Sequence, residues 1–351
     1  MTTVEIGRPS LRDVPLYSPE ATSCAIDLRD NTNLWGAPPA ALAALRSVDP
    51  AALSLYPGVS AGPLIDAIAA FVGVDAREVA AGCGSDDLID AAFRAVAEPG
   101  ALLAHPAPSF SMVPIFARLN GLQPVAVPLT RDGAADADAM IATGARIIYL
   151  CSPNNPTGTT TPADVVRRIV RESDAIVMLD GAYAEFAPDL EDLLTEAPSL
   201  GRLLVLRTFS KAWGLAGLRV GYAVGSAQLV RAVRQSNGPY KVNALAELAA
   251  CVALAEDAGW MRARAAEAVA MRERVAQALR TLGFAPLDSR GNFVCVPVPD
   301  AHALAARLAA RGVAVRAFAG LPVFGDVLRV GMGPWPFMER FLDALREGLA
   351  P

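Results

Sequence analysis

Lysine is almost missing from this chain: of 31 basic residues only Lys211 and Lys241 are lysines, which leaves 29 arginines. Histidine is as scarce, with His105 and His302 alone, so a histidine-based metal site or a Ser-His-Asp arrangement has little to draw on. Five cysteines (Cys24, Cys83, Cys151, Cys251, Cys295) are scattered, odd in number and never spaced C-x-x-C. That usage argues against disulfides and structural zinc and leads us to expect a reducing compartment. Apolar stretches are broken by Arg, Asp, Glu, Pro or Gly before they reach bilayer-spanning length. The opening MTTVEIGRPSLRDVPLYSPE has no apolar run of signal-peptide type. A net charge of −5 offers no basic stripe for nucleic acid. The expectation is a cytoplasmic protein with neither nucleic acid nor membrane as partner. Its 351 residues are enough for a large core and two domains.

The scarcity of lysine gives weight to the lysine in TFSKAWGLAGLRVGYAVG (208–225). A guanidinium stays charged at any working pH, whereas a desolvated lysine can lose its proton and attack a carbonyl. Lys211, beside a serine and ahead of a glycine-rich turn, is therefore a candidate nucleophile. Lys241 reads equally well as a plain surface cation.

Short apolar runs alternate with helical patterns. VAAGCGSDDLIDAAFRAV (79–96) reads as a strand end, a glycine turn and a helix; ARIIYLCSPNNPTG (145–158) reads as a strand and a loop. TPADVVRRIVRES (161–173) starts a helix, with Thr161 as N-cap and Pro162 at the first position. DAIVMLDGAY (174–183) and RLLVLRTFSK (202–211) are further strands. Strands apolar on both faces and alternating with helices predict a mostly parallel sheet covered on both sides, an α/β fold. Residues 30–240 would form this large domain. The stretch 243–284 predicts two helices broken near Asp257, followed by a small α+β unit containing GNFVCVPV, GVAVRAF and DVLRVGMG. The small domain would comprise residues 241–351 with the arm 1–29.

In a parallel sheet ligands sit beyond the carboxyl ends of the strands. Those ends carry Asn154 and Asn155, Asp180 and Tyr183, and Ser210 and Lys211. An aspartate facing a reactive lysine suits pyridoxal phosphate, which needs a Schiff-base lysine and a carboxylate to keep its pyridine nitrogen protonated. Asn155 and Tyr183 would then bond the phenolic oxygen. An ordinary buried Lys–Asp ion pair accounts for the same two residues. The turn Gly82-Cys83-Gly84-Ser85 at a helix start suits a phosphate, although Ser85 as a simple N-cap explains it equally. Thr208, Ser210 and the forked cation Arg219 add phosphate ligands. Phe110 would stack on the ring or serve as core.

Taken together, CSPNNPTG, MLDGAYAEF and TFSKAWGLAGLRVGYAVG resemble the signature segments of fold-type I pyridoxal-phosphate aminotransferases, and more narrowly the histidinol-phosphate aminotransferase family. The likeness runs almost end to end. VPLYSPE with Tyr17, LRDNTNLWG with Asn33, LSLYPGVSAGPLIDAIAAFVGV and AAGCGSDDLID resemble further family segments. The resemblance implies pyridoxal 5'-phosphate held by Gly84, Ser85, Asp86, Phe110, Asn155, Asp180, Tyr183, Thr208, Ser210, Lys211 and Arg219. It implies catalysis by Lys211, Asp180 and Tyr183, and a homodimer in which Tyr56 reaches the cofactor phosphate of the other subunit. Tyr17, Asn33, Asn292, Arg316 and Arg329 would bind substrate, the two arginines as anion ligands. The implied activity is ping-pong amino transfer between glutamate and histidinol phosphate. An aromatic amino-acid aminotransferase acting on phenylalanine is the near alternative, with Trp35 lining an aromatic pocket. Relatives that decarboxylate a phosphorylated amino acid are another.

The chain departs from the family pattern at several places. Thr32 stands where glutamate is usual, and Leu34-Trp35 replaces a Pro-Phe pair. Gly181 replaces an acid after the aspartate. The Gly333–Pro336 stretch lacks the polar start expected of the last helix. Each departure is expected to reshape the substrate pocket.

Overall fold

The computed structural model describes residues 7–8, 11–12, 14, 24–187 and 191–349. The strands, in chain order, are β1 (Ile26–Asp27), β2 (Val79–Gly82), β3 (Leu102–Ala107), β4 (Gln123–Pro128), β5 (Ile147–Cys151), β6 (Ile176–Asp180), β7 (Leu203–Thr208), β8 (Gly221–Gly225), β9 (Phe293–Pro297), β10 (Val313–Ala314), β11 (Arg316–Leu321) and β12 (Gly325–Gly331). Seven of them form one sheet in the order β2-β8-β7-β6-β5-β3-β4. Only β8 runs against the rest, pairing antiparallel with β7 and β2.

Alternation along the central strands explains why helices cover both faces. Ile148, Leu150, Val177, Leu179 and Val205 enter one buried cluster, and Ile147, Tyr149, Met178, Leu204 and Leu206 enter another. A strand with period two and apolar residues at every position must be buried on both sides. The helices Gly84–Val96 and Ala227–Asn237 supply the second cluster, and Gly62–Val72 and Ala244–Glu256 the first.

A third core gathers Val275, Leu279, Val294, Val296, Leu328, Val330, Phe341 and Leu345. It lies against the three-stranded antiparallel sheet β11-β12-β9. Leu28 belongs to this core, and β1 pairs in parallel with β10. The run expected as one strand over 312–318 is divided, because β10 bonds β1 whereas β11 bonds β12. The long helical stretch breaks as expected into Ala244–Glu256 and Ala258–Thr281. Asp257 at the break accepts from the backbone N–H groups of Ala40 and Ala41, so it caps the neighbouring helix Pro39–Arg46. Thr161 is not an N-cap. Pro162 holds that place, and the Thr161 hydroxyl accepts from the Ala135 N–H at 3.0 Å. Among the described residues no helix is long and apolar enough to cross a membrane.

Candidate active site

The chain leaves β3 outward to β4 and returns to β5 on the other side of β3, so the strand order reverses between β3 and β5. Such a switch point opens a crevice at the carboxyl ends of the strands. A cavity of about 470 Å³ lies there, walled by residues that end or follow β2, β3, β5, β6 and β7. Lys211, Asp180, Tyr183, Asn155, Phe110, Thr208, Ser210, Ser85, Asp86, Arg219, Arg316 and Arg329 all line it. The sequence scattered these groups over 245 positions; the sheet collects them.

Asp180 closes β6 and is buried. It accepts from the Tyr149 hydroxyl at 2.6 Å and from the Ala182 N–H at 3.0 Å. Burial still pushes its carboxyl above the usual carboxylate value. The carboxylate has no salt-bridge partner among the described residues, so a buried ion pair with Lys211 is not what holds the two groups together. Lys211 Nζ instead donates to the Asp30 carbonyl at 2.7 Å. Burial first, and the nearby Arg329 second, bring its ammonium down from 10.5 to about 8. Tyr183 receives a bond from Asn31 Nδ2 at 3.1 Å, and burial pushes its phenol up to about 12. Asn155 accepts from Arg329 Nη1. A buried acid with no salt bridge among the described residues and an amine made partly neutral near pH 8 are poised to act on a third group.

At the other end of the cavity the helix Gly84–Val96 presents its N-terminus. Gly84 has φ +84°, and a β-carbon there would meet Arg219 Nη2 at 2.7 Å. A β-carbon on Gly221 would meet the Ser85 backbone nitrogen at 2.6 Å. Glycine at both places lets a guanidinium and a strand end close on the helix terminus. Arg219 Nη1 donates to Ser210 Oγ at 3.2 Å, and Nη2 lies 3.5 Å from Asp86. Burial raises the Asp86 carboxyl, with Arg219 and Lys211 acting against that rise. Thr208 Oγ1 accepts from the Ser210 N–H at 3.0 Å. Ser85 is not the cap: Cys83 holds that position, and its N–H donates to Asp87 at 3.0 Å. The Ser85 hydroxyl is thus left to the cavity. Helix N-terminus, hydroxyls and arginine fit a phosphate monoester, and Asp180 and Lys211 fit a pyridine ring bearing an aldehyde.

The mouth of the cavity is built by β11, β12 and the turn at 29–31. Arg316 and Arg329 face each other in register across the two strands. Arg329 is buried, and burial lowers its pKa; Nη2 donates to the Arg29 carbonyl. Arg316 Nη2 donates to the Asp30 carboxylate at 2.8 Å. Sequence reasoning missed Asp30 and Phe318, which both line the cavity. Phe318 sits two residues beyond Arg316 on one strand, so period-two alternation was the signal that would have found it. Two expected substrate ligands stand back from the wall. Asn33 donates to the Ala212 carbonyl at 2.9 Å, and Asn292 donates to the Asn31 carbonyl at 3.0 Å. Both brace the turn rather than line the cavity. Tyr17 lies outside the described residues.

None of the departures lines the cavity, contrary to expectation. A β-carbon on Gly181 would fall 1.6 Å from Arg207 Nη1, which donates to the Gly181 carbonyl. Arg207 is only 3% exposed, so it fills the place where the usual acid would project. Gly333 makes room for Leu34, whose Cδ1 would lie 2.9 Å from an added β-carbon. These two departures compensate one another in packing. Trp35 donates to Glu267 at 2.6 Å and packs between two cores, so it does not form an aromatic pocket. Trp335, at the start of the last helix, stacks under Arg274 at 3.2 Å.

A larger groove, about 830 Å³, is lined by Arg77, Arg231, Arg234 and Lys241. Its amine, Lys241, is neutralised by Asp87 at 2.9 Å, whereas in the smaller cavity the Lys211 amine and the Asp180 carboxylate make no salt bridge among the described residues. Chemistry, not size, singles out the smaller one. Tyr56 does not line either; it is 85% exposed and stacks on Tyr240 at 5.1 Å.

The sequence profile of the family "Aminotransferase class I and II" matches residues 24–345. The histidinol-phosphate aminotransferase of Roseiflexus castenholzii is 38% identical, over 92% of this chain and 89% of that one. An aromatic amino acid aminotransferase of Corynebacterium glutamicum is also 38% identical, over 89% of this chain and 92% of that one. The crystal structure of histidinol-phosphate aminotransferase from Sinorhizobium meliloti in complex with pyridoxal 5'-phosphate superposes with a TM-score of 0.89 at 26% identity. It covers 99% of this chain and 98% of that one.

Proposed function

The chain belongs to the aminotransferase class I and II family, and from that premise we propose that it moves an amino group between glutamate and histidinol phosphate, with pyridoxal 5'-phosphate as cofactor. The cofactor, when bound, supplies an aldehyde to carry the amino group and a ring that accepts the electron pair from Cα. Ser85, Ser210, Thr208 and Arg219 hold its phosphate, with Gly84 and Asp86 shaping the cradle. Phe110 covers the ring, and Asn155 and Tyr183 bond its phenolic oxygen. Asp180 keeps the ring nitrogen protonated. Lys211 would hold the aldehyde, and its amine would take up and return the proton at the substrate Cα. Residues 30–240 act as the cofactor-binding unit. The substrate-side unit is the separate core around β9, β11 and β12 with Leu28. The boundary expected at 240 moves toward the C-terminus, because Ala244–Glu256 and the first turns of Ala258–Thr281 pack into the core of the large sheet.

The observation that carries the substrate reading is the pair Arg316 and Arg329, side by side across β11 and β12 at the cavity mouth. A phosphate dianion engages both, whereas the α-carboxylate of glutamate relies on Arg329. Losing one charge-assisted bond costs roughly 1.5–3 kcal/mol, about tenfold to a hundredfold in kcat/KM. Arg316→Ala is expected to impair the histidinol phosphate half-reaction by that factor and to spare the glutamate half-reaction. Single-turnover rates of both measure this. Phe318, 5.6 Å from the Arg329 guanidinium, favours a second reading with an aromatic amino acid. Equal loss in both half-reactions, or turnover of phenylalanine without histidinol phosphate, would establish that second reading.

Tyr56 supports a homodimer. It is exposed together with Leu53, Leu55 and Val59 and does not line the cavity of its own chain. Mixing Tyr56→Phe with Lys211→Ala and allowing subunit exchange is expected to restore activity, since one heterodimer site then carries neither lesion. Exchange without recovery would return Tyr56 to its own subunit.

A further inference from the structure

Among the described residues, Asp30 is the one acid at the substrate end of the cavity. The other two acids that line it have different neighbours, Asp180 at the carboxyl end of β6 and Asp86 against Arg219. The Asp30 carboxylate sits 2.8 Å from Arg316 Nη2, where a substrate anion would have to bind. Its position is fixed by the chain on both sides. The Arg29 carbonyl accepts from Arg329, the Asp30 carbonyl from Lys211, and Asn31 donates to Tyr183. The side chain itself is 61% exposed and the Arg316 side chain 29%, so the pair is solvated and readily exchanged.

We propose that Asp30 is a specificity-determining residue: a resident counter-ion that a substrate anion must displace to reach Arg316. The proposal rests on the reading that Arg316 and Arg329 form the anion end of the site. A ligand that uses Arg329 alone does not meet this competitor. A ligand that also needs Arg316 must expel a carboxylate and then tolerate its negative charge nearby. Asp30 thereby sets the balance between the two half-reactions, a role that neither cofactor chemistry nor packing requires of an aspartate.

The test uses the cofactor-loaded protein at low ionic strength, where such pairs are least screened. Inorganic phosphate serves as the probe, and its inhibition constant is read against glutamate in the first half-reaction. Asp30→Asn is expected to lower that constant about two- to fivefold, the span of an exposed ion pair. Asp30→Glu should leave it near the starting value, and the gain in Asp30→Asn should vanish in the Arg316→Ala background. Should Arg316→Ala weaken phosphate while Asp30→Asn changes nothing or also weakens it, the counter-ion role is wrong and the anion site stands. Should Arg316→Ala have no effect either, the anion reading falls and takes the proposal with it.

Discussion

Lys211→Arg is expected to keep the positive charge at this position and to lose turnover by on the order of 10⁴, the span of a lost general base. A guanidinium forms no imine with an aldehyde and gives up no proton at working pH. After borohydride treatment of the loaded wild-type protein, mass mapping should find one cofactor adduct, on Lys211. An adduct on Lys241, or none, would remove Lys211 from the mechanism. The pH dependence follows from the site. Burial and Arg329 bring the Lys211 amine down to about 8 in the cofactor-free protein. Below that pH the ammonium has no lone pair to offer; above it the amine is free. The rate at which cofactor-free protein captures pyridoxal phosphate should rise through pH 8 and level off, where an ordinary lysine would still be climbing toward 10.5.

Asp180→Asn should fold normally yet slow amino transfer by a factor on the order of a hundred or more. In the native chain the Ala182 N–H bonds one carboxylate oxygen and the Tyr149 hydroxyl the other. The amide keeps its oxygen for the Ala182 N–H, and its NH2 donates to the Tyr149 hydroxyl, which turns to accept. It removes the buried negative charge, so nothing keeps the cofactor's ring nitrogen protonated. Unchanged thermal stability with strongly reduced single-turnover rates is the expected pattern. Near-normal rates would make Asp180 a structural partner of Tyr149 only.

The large sheet and the groups on its rim were legible because their signals are local. The runs ending at Cys151, Asp180 and Thr208 are largely apolar on both faces, and polar residues stand at or just beyond each carboxyl end, Ser152, Asp180, and Thr208 with Ser210. The scarcity of lysine isolated Lys211. What could not be read depends on partners far away in sequence. That Gly181 is packed by Arg207 is decided on the neighbouring strand. Leu34 and Gly333 read as two separate departures, although each makes sense only beside the other. Asp30 lies within LRDNTNLWG but nothing in that segment singled it out; its contact with Arg316 appears only when β11 is laid against it.

The turn at 29–31 bonds groups 181, 286 and 300 positions away along the chain. Closing loops of that length costs entropy that local contacts never incur, and contacts of such high order form late. A chain whose seven-stranded sheet is already complete therefore still lacks the substrate end of its cavity. On the ribosome the consequence is sharper. Lys211 is made well before Arg316 and Arg329, and the N-terminal turn waits throughout for strands that do not yet exist. In the proposed reading, amino-transfer competence thus waits until β12 has been made, and no copy of the chain that stops short of β12 can assemble the complete set of groups.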